Sequence, residues 1–321
     1  MIEYNNSANG GTEIMARKLE SLLPSHFLDR FQIICGRVSN LDESKIRILW
    51  IHDTPYQIDN KHLENNGWKS FHKIVFISHH QMEEYVKEYK IPYSHCTVIK
   101  YALDSIDFYP KSKDKISLIY TSTPHRGLEI LVDTFEKLCN EYNNIELKVY
   151  SSYKIYDRTE QQKNFENSFL FRRMENNSKI KNNGFVSNSE LKKSLSSSHI
   201  FAYPSTYRET FCLSLLEAMS AGLLCVHPNY GCLPETASNW TIMYNYHENT
   251  IDHKKIFYEH LKYSIDNINN LEINKMLRYQ KKYINYFYNW EKRIEEWINL
   301  LESTYNLSPN KTITGVKFEY Q

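Results

Sequence analysis

The chain lacks the features that mark several large classes of protein. Its 321 residues include only 9 glycines and 9 prolines, and the formal net charge is +1. A charge so close to zero argues against a dedicated nucleic-acid-binding protein, which normally carries a basic excess. No run of about 18 apolar residues occurs, so we expect no transmembrane helix. The N-terminal MIEYNN has neither the basic nor the apolar region of a signal peptide, and we expect a cytoplasmic protein.

Patterns typical of metal and redox sites are also missing. The six cysteines form no C-x-x-C pair and several lie within apolar runs, which indicates free thiols in a reducing compartment. Neither an Asp-x-Asp motif nor a His/Cys cluster of zinc spacing occurs, so we expect no metal and no other cofactor. The 25 tyrosines accompany abundant Asn, Lys and Ile. This composition is typical of AT-rich coding sequences, and we assign it no functional weight.

Short apolar strands alternate with helices along most of the chain. In the first half the predicted strands are IEY, FQIIC, IRILWIH, KIVFIS and CTVIKYA, an alternation typical of parallel, doubly wound α/β sheets. The charged segment KSKDK after Pro110 separates this half from a second series of strands and helices. We therefore predict two Rossmann-like doubly wound domains facing across a cleft, over residues 1–110 and 111–285. A helix over 286–306 and a polar tail over 307–321 follow.

Two strand ends in the first half carry candidate site residues. Gly10 and Gly11 form a turn between a strand and a helix, where the backbone can approach a ligand and N–H groups can bind an anion. The alternative is a tight turn in which Thr12 caps the helix. The strand WIHDTP delivers His52 and Asp53 to the edge where doubly wound sheets bind ligands. Alternatively, Asp53 caps a helix and the backbone satisfies His52.

The second half contains a fixed cation after the strand ISLIY. Arg126 lies in the turn TSTPHRG, which opens a helix. The planar guanidinium group of arginine can bond two oxygens of a diphosphate, so this turn is a candidate diphosphate site. The alternative is an arginine that is simply exposed to solvent.

The segment ETFCLSLLE carries two carboxylates eight residues apart. A helix predicted from Thr210 would advance about two turns between Glu209 and Glu217, so both could share one face. Glu209 would then lie at the helix mouth, beside the N–H groups of Thr210, Phe211 and Cys212, which suit a phosphate. Glu217 has apolar neighbours in the sequence and needs a partner. Alternatively, Glu209 is a first-turn acid favoured by the helix dipole, and Glu217 is a surface residue.

Together these segments resemble glycosyltransferase family 4, whose members have the GT-B fold. The spacing of Glu209 and Glu217 matches the E-x7-E motif of that family, and NGFVSNSELKKSLSSSHIFAYPS resembles the segment before it. GGTE, WIHDTP and PHRGLEIL resemble the first glycine loop, the histidine-bearing strand end and the start of the second domain. The similarities follow in order over residues 9–240. The resemblance implies an acceptor side in the first domain, a donor side in the second, and a last helix that returns to the first.

The resemblance also implies a retaining transferase that moves a sugar from a nucleotide diphosphate sugar without a metal. Glu217 would bond the ribose hydroxyls, Glu209 would contact the transferred sugar, and Arg126 would neutralise the leaving diphosphate. His52 would lie near the donor sugar, so that Glu209, Arg126 and His52 are the catalytic candidates. Backbone groups of two loops would accommodate the phosphates: those of Gly10, Gly11, Thr210, Phe211 and Cys212.

The resemblance leaves the acceptor and other activities open. The acceptor would be a glycan, a lipid or another hydroxyl compound, with no nucleic-acid partner and with peripheral membrane contact not excluded. Thr121 stands where many relatives carry a second basic residue, which favours a partner subunit or another catalytically inactive protein that binds nucleotide sugars. The order of the motifs gives no support to a GT-B-fold sugar-nucleotide epimerase or a phosphorylase. A NAD-dependent dehydrogenase is disfavoured because GGTE is not a G-x-G-x-x-G loop.

Overall fold

The computed structural model describes residues 2–5, 10–154 and 159–307. Each of its two compact units contains one parallel β-sheet with flanking helices. All six cysteines lie in the described ranges and are free thiols. No helix in this part of the chain combines the length and the apolar character needed to cross a membrane. The units comprise Met1–Leu103 with Tyr288–Gln321, and Asp104–Phe287.

The first unit contains a five-stranded parallel sheet whose strands lie in chain order. Ile34, Leu49 and Ile74 on neighbouring strands are fully buried, as expected for strands that read as apolar runs. The strands are β1 (Ile2–Glu3), β2 (Phe31–Cys35), β3 (Ile46–Trp50), β4 (Lys73–Phe76) and β5 (Cys96–Val98). The helices are α1 (Gly11–Leu22), α2 (Ser25–Arg30) and α3 (His79–Tyr89), with 3-10 segments at Ile58–Ser70 and Tyr93–His95.

The second unit contains a six-stranded parallel sheet in which the strand order reverses. Its strands are β6 (Ile116–Tyr120), β7 (Ile145–Val149), β8 (Ile180–Asn182), β9 (Ile200–Ala202), β10 (Leu224–Pro228) and β11 (Ile242–Tyr244). They lie in the order β11-β10-β9-β6-β7-β8, so the order reverses where β6 and β9 pair. Two parallel-sheet Rossmann-like units confirm the predicted α/β class, and among the described strands the reversal belongs to the second sheet.

Helices connect and flank the strands of the second sheet. They are α4 (Leu128–Leu138), α5 (Thr159–Glu166), α6 (Phe169–Asn176), α7 (Asn188–Ser196), α8 (Leu213–Ser220), α9 (Leu233–Ala237), α10 (Thr250–Asn267) and α11 (Leu271–Phe287), with a 3-10 turn at Pro124–Arg126. The polar sequence over 157–178 is typical of one long helix, but it forms the two helices α5 and α6, because the Ser168 side chain accepts a bond from Phe171 N and caps a new helix. Residues 155–158 lie outside the described ranges.

The last helix, α12 (Trp290–Leu307), belongs to the first unit. The sequence predicts this helix over 286–306, and it begins at Trp290 because the Asn289 side chain accepts a bond from Lys292 N and caps the helix. Trp297 packs its ring edge-on against Trp50 of β3, with 4.9 Å between ring centroids. Of the predicted tail 307–321, residues 308–321 lie outside the described residues.

The first unit ends before the charged segment that the sequence indicated as a linker. The prediction placed the boundary after Pro110, whereas residues from Asp104 onward pack with the second unit. Ile106 N donates to Ser220 Oγ at 3.1 Å, and Lys281 Nζ donates to the Ile106 carbonyl. These bonds to α8 and α11 hold the segment 104–110 on the second unit, which the local sequence does not reveal.

Candidate active site

The strand-order reversal of the second sheet brings two predicted site residues together. Arg126 ends the 3-10 turn that follows β6, and Glu209 lies in the loop that follows β9. Because β6 and β9 are parallel neighbours, both loops leave the carboxyl edge of the sheet at the same place. Open α/β sheets bind ligands at such a switch point.

The Glu209 carboxylate is buried and holds Arg126. Arg126 Nη1 donates to Glu209 Oε1 at 3.0 Å and to Oε2 at 3.2 Å. The Tyr203 hydroxyl also donates to Glu209 Oε1, and the Tyr207 ring lies 4.3 Å from the guanidinium carbon of Arg126. Burial raises the pKa of Glu209, while Arg126 and the Tyr203 hydroxyl act to lower it. The arrangement therefore fixes a cation at the edge of the sheet.

Two glycines allow the loop after β9 to approach its neighbours. Gly127 has φ +100°, and a side chain there would place Cβ 2.0 Å from the Pro204 carbonyl oxygen. Gly231 has φ +59°, and its Cβ would lie 2.7 Å from both N and O of Glu209. Cys232 N also donates to Glu209 O at 2.9 Å. The backbone that carries Glu209 is thus held from both sides.

The helix after Glu209 begins later than the sequence indicates. Cys212 has extended backbone angles (φ −109°, ψ 91°), and α8 starts at Leu213. Thr210, Phe211 and Cys212 therefore lie in the preceding loop, and the predicted helix mouth at Thr210 is wrong. Glu209 and Glu217 consequently do not share one helix face. Two hydrogen bonds position this segment. Cys232 N donates to Glu209 O, and Ser214 Oγ donates to Thr121 O at 2.8 Å.

Glu217 is a half-buried carboxylate in the middle of α8. Its helix neighbours Leu216 and Ala218 are fully buried. Burial raises the pKa of Glu217 to about 7, and Lys192 acts in the opposite direction. Among the described residues no hydrogen bond to its side chain is found. The predicted acid in an apolar helix is therefore present with its carboxylate available for a ligand.

The first unit carries the other predicted residues in a neutral cluster. Gly10 is the N-cap of α1 and Gly11 its first residue, so Thr12 lies inside the first turn rather than at the cap. Asn9 of the predicted turn lies outside the described residues. His52 Nδ1 and the Tyr101 hydroxyl are 2.7 Å apart. The Gly11 Cα faces the Tyr101 ring, which a Cβ at this position would meet at 3.7 Å.

His52 is buried as a neutral imidazole. Burial lowers its pKa to about 3, and its ring packs on Trp50 at 4.6 Å between centroids. The bond to Tyr101 holds one ring nitrogen, which corrects the alternative of a histidine satisfied by backbone alone. At neutral pH this side chain can exchange hydrogen bonds but contributes no positive charge.

Three tyrosines also belong to the two groups of side chains around Glu209 and His52, and no motif in the sequence points to them. Tyr203 directly follows β9, Tyr207 lies in the same loop, and Tyr101 lies three residues after β5. Coding bias explains the tyrosine content but not these positions. Their position in the sequence could have identified the three residues, since each follows the carboxyl end of a strand. Within the described residues, no three His, Cys, Asp or Glu side chains are grouped so that they could hold a metal ion.

The comparisons by sequence cover only part of the chain. Residues 106–256 match the model of the family described as Glycosyl transferases group 1, a range that contains Arg126, Glu209 and Glu217 but not His52. One of the subunits of the phosphatidylinositol N-acetylglucosaminyltransferase of Arabidopsis thaliana is 29% identical over 167 residues, which are 50% of this chain and 35% of that protein. The match therefore spans about a third of the length of this curated relative.

Solved structures show the fold over nearly the whole chain. A glycosyltransferase from Rickettsia africae has a TM-score of 0.70 at 14% identity, covering 96% of this chain and 85% of that one. Anabaena HepE in complex with UDP has a TM-score of 0.66 at 13% identity, covering 90% and 83%. These likenesses confirm the predicted α/β class with two Rossmann-like units. Residues 106–256 match the model of the glycosyl transferases group 1, and the chain has the GT-B fold.

Proposed function

We propose that the chain transfers a sugar from a nucleotide diphosphate sugar to a hydroxyl group of a glycan, lipid or other acceptor. The transfer retains the anomeric configuration and uses no metal. The observation that carries the proposal is the Arg126–Glu209 ion pair at the switch point of the second sheet. The family match over residues 106–256 supports it, as does the carboxylate of Glu217 in the helix that follows.

Arg126 stabilises the charge that develops on the leaving group. As the bond between the anomeric carbon and the diphosphate oxygen breaks, negative charge collects on the diphosphate. A cation that is already fixed stabilises this charge without reorganisation in the transition state. Glu209 accepts bonds from Nη1 of the guanidinium, and the guanidinium carbon lies over the Tyr207 ring, so Arg126 is fixed before the donor arrives.

The remaining donor contacts come from the loop after β9 and from α8. Backbone N–H groups at 210–212 and at the N-terminus of α8 face the phosphates, because a helix N-terminus favours anions. Glu217 accepts bonds from the ribose hydroxyls, which satisfy a carboxylate that is otherwise costly to bury. Glu209 contacts the transferred sugar in addition to holding Arg126.

The first unit supplies uncharged contacts in this proposal. His52 is a neutral imidazole and offers one hydrogen bond to the donor sugar, while its other bond to Tyr101 fixes the ring. Gly10 and Gly11 leave room for the diphosphate because neither has a side chain. None of these residues supplies a positive charge, so Arg126 stabilises the negative charge of the leaving diphosphate.

A donor-binding protein without catalytic activity is the second candidate, and Thr121 is the observation that favours it. Thr121 is buried and neutral where many relatives of the resembled family carry a basic residue. One cation then faces the diphosphate instead of two. Binding with no turnover is the outcome expected of such a protein.

Thermal-shift screening against UDP-, GDP-, ADP- and dTDP-sugars tests the proposal. A ligand that binds only the folded state raises the melting temperature by mass action, so the best donor is the one with the largest shift. UDP-sugars come first because Anabaena HepE is known in complex with UDP. The best donor is then incubated with hydroxyl acceptors, and the anomeric proton of the product is followed by NMR.

We expect consumption of the donor, a product of unchanged anomeric configuration and no loss of rate in EDTA. Binding without consumption of any donor would favour the inactive binding protein. Inversion at the anomeric carbon would contradict the retaining reaction. Complete loss of turnover in EDTA that Mn²⁺ or Mg²⁺ restores would show that a metal rather than Arg126 stabilises the leaving group.

A further inference from the structure

A buried tyrosine lies behind the Arg126–Glu209 pair. We propose that Tyr203 is a positioning residue, which acts through Glu209 to hold the Arg126 guanidinium in the orientation that meets the leaving diphosphate. The contacts that join Tyr203, Glu209 and Arg126, called the relay below, are present in the structure. Their effect on catalysis rests on the proposed function.

The relay consists of three side chains joined by one carboxylate. Tyr203 is fully buried and follows β9 directly, so the sheet fixes its backbone. Its hydroxyl donates to Glu209 Oε1, the same oxygen that lies 3.0 Å from Arg126 Nη1. A shift of the carboxylate would move both contacts at once. Tyr203 therefore limits where Glu209, and with it Arg126, can lie.

A second contact restrains the guanidinium group. The Tyr207 ring lies 4.3 Å from the Arg126 guanidinium carbon, a distance within the range of cation–π attraction. Glu209 accepts bonds from one nitrogen of the group, and the central carbon of the group lies over this ring. The two contacts together restrain the position of the cation. Because Tyr207 and Glu209 belong to one loop, anchoring Glu209 on Tyr203 also anchors the ring.

The charge state of Glu209 is the property that Tyr203 controls. Burial raises the pKa of Glu209, and Arg126 and the Tyr203 hydroxyl lower it. The other titratable groups that face Glu209 have pKa values raised by burial and are neutral at pH 7: Tyr120, Cys212 and Cys232. Loss of the Tyr203 hydroxyl removes a donor to the ionised carboxylate. Glu209 would then take up a proton at a higher pH and release its hold on Arg126.

The substitution Tyr203→Phe tests the relay, and the chain offers a matched control. Tyr120 is also fully buried, its ring lies 5.9 Å from that of Tyr203, and its hydroxyl donates to the Thr123 carbonyl at 2.8 Å. Tyr120→Phe therefore removes a similar buried hydroxyl that does not bond Glu209. Carboxyl ¹³C NMR follows the titration of Glu209, whose signal is assigned by its absence in Glu209→Gln.

We expect Glu209 to titrate at higher pH in Tyr203→Phe than in the wild type, and at unchanged pH in Tyr120→Phe. Identical titration in Tyr203→Phe and the wild type would overturn the relay. An equal shift in both variants would also overturn it, because any loss of a buried hydroxyl would then have the same effect. This measurement needs no sugar, so its outcome is independent of the proposed transferase activity.

Kinetics then tests the catalytic consequence. With the donor identified above, we expect kcat of Tyr203→Phe to fall about tenfold at pH 7, as for loss of one hydrogen bond to a charged group. The loss should shrink as the pH rises and Glu209 ionises again, while the donor Kd stays within about twofold. A pH-independent loss would contradict the role of Glu209 ionisation. A shifted titration in a chain that consumes no donor would support the relay and count against the transferase.

Discussion

The two units hold their candidate residues in contrasting ways. In the first, His52 and Tyr101 form a neutral buried pair, and Gly11 has only ordinary contact distance to the nearest ring. In the second, Arg126 and Glu209 form a partly buried ion pair, and a Cβ on Gly231 would clash with the Glu209 backbone. The first unit holds a neutral pair and has room at Gly11, whereas the second holds an ion pair and is tightly packed at Gly231.

This difference follows from the two sheets. The strands of the first sheet lie in chain order, while the order of the second reverses between β6 and β9. At the reversal two loops diverge from adjacent strands and leave a crevice between them. In the proposed reaction, the charge that stabilises the departing diphosphate accordingly lies in the second unit. Each of the following experiments separates the contributions of the two units.

Removal of the fixed cation should have the largest effect. We expect Arg126→Ala to lower kcat by about 10²–10³, the usual cost of one preorganised donor to a developing charge. The donor Kd should change less, because the charge grows between the ground state and the transition state. Arg126→Lys should recover part of the loss, since a point charge remains without the bidentate fork. Steady-state kinetics and calorimetry measure the two parameters.

Arg173 provides the control for this substitution. It is another arginine of the second unit that pairs with carboxylates, with Nη2 2.7 Å from Asp133 Oδ1, but it lies in α6 away from the switch point. Arg173→Ala should leave kcat unchanged. If Arg126→Ala turns over within about threefold of the wild type, a difference below roughly 0.7 kcal/mol, the leaving-group role is wrong.

Added Cβ atoms should distinguish the tightly held site from the open one. Gly231→Ala should cost about 2–4 kcal/mol, because it combines a left-handed backbone with overpacking against Glu209. Gly184 has the same φ of +59° but nothing within 4 Å of its Cβ, so Gly184→Ala should cost only about 1–2 kcal/mol. Gly11→Ala in the first unit should cost less than about 0.5 kcal/mol. Urea unfolding midpoints rank the three variants, and equal midpoints would contradict the clash.

Substitution of Glu217 should weaken donor binding by a smaller amount. We expect the donor Kd to rise about tenfold in Glu217→Ala and about threefold in Glu217→Gln, because glutamine keeps one acceptor for a ribose hydroxyl and alanine keeps none. Titration calorimetry gives both values. Equal donor affinity of the wild type and Glu217→Ala would rule out the ribose contact.

The neutral His52 of the first unit should lower the free energy of unfolding in acid. His52 stays neutral in the folded chain until about pH 3, whereas the unfolded chain binds a proton there below about pH 6.5. The stability of the folded state therefore falls as the pH drops through this window, by on the order of 1–2 kcal/mol between pH 6.5 and 5. His52→Gln should remove this part of the pH dependence.

Tryptophan fluorescence suits this measurement, because four of the five tryptophans belong to the first unit: Trp50, Trp68, Trp290 and Trp297. His227 and His253 of the second unit also have pKa values lowered by burial, to about 4, so the variant keeps some sensitivity to acid. An unchanged loss of stability in His52→Gln would show that His52 is protonated in the folded chain.

The sequence predicts well what depends on local pattern. Apolar runs such as IRILW and ISLIY form strands as predicted, because β-branched residues and flanking polar turns determine short buried strands. A turn identifies Arg126 and a motif spacing identifies Glu209. Their direct contact at 3.0 Å depends on the pairing of β6 with β9, which joins segments some 80 residues apart.

The errors have a common physical origin in contacts between distant residues. Thr210, Phe211 and Cys212 are compatible with a helix, yet the bond from Cys232 N to Glu209 O holds this segment as a loop. Tyr203 reads as a core residue beside an apolar strand, and only the folded chain brings its hydroxyl to Glu209. Local sequence contains no information on either partner.

Hydrogen exchange in the presence of a nucleoside diphosphate tests the central claim most directly, since it locates the bound ligand. The wild-type chain is measured by mass spectrometry with and without UDP, and with GDP, ADP and dTDP in turn. We expect slower exchange in peptides covering 121–127 and 203–215 of the second unit, with little change at 51–54 of the first. Protection confined to 10–22 and 51–54, or no protection with any of the four, would contradict a donor site built on Arg126 and Glu209.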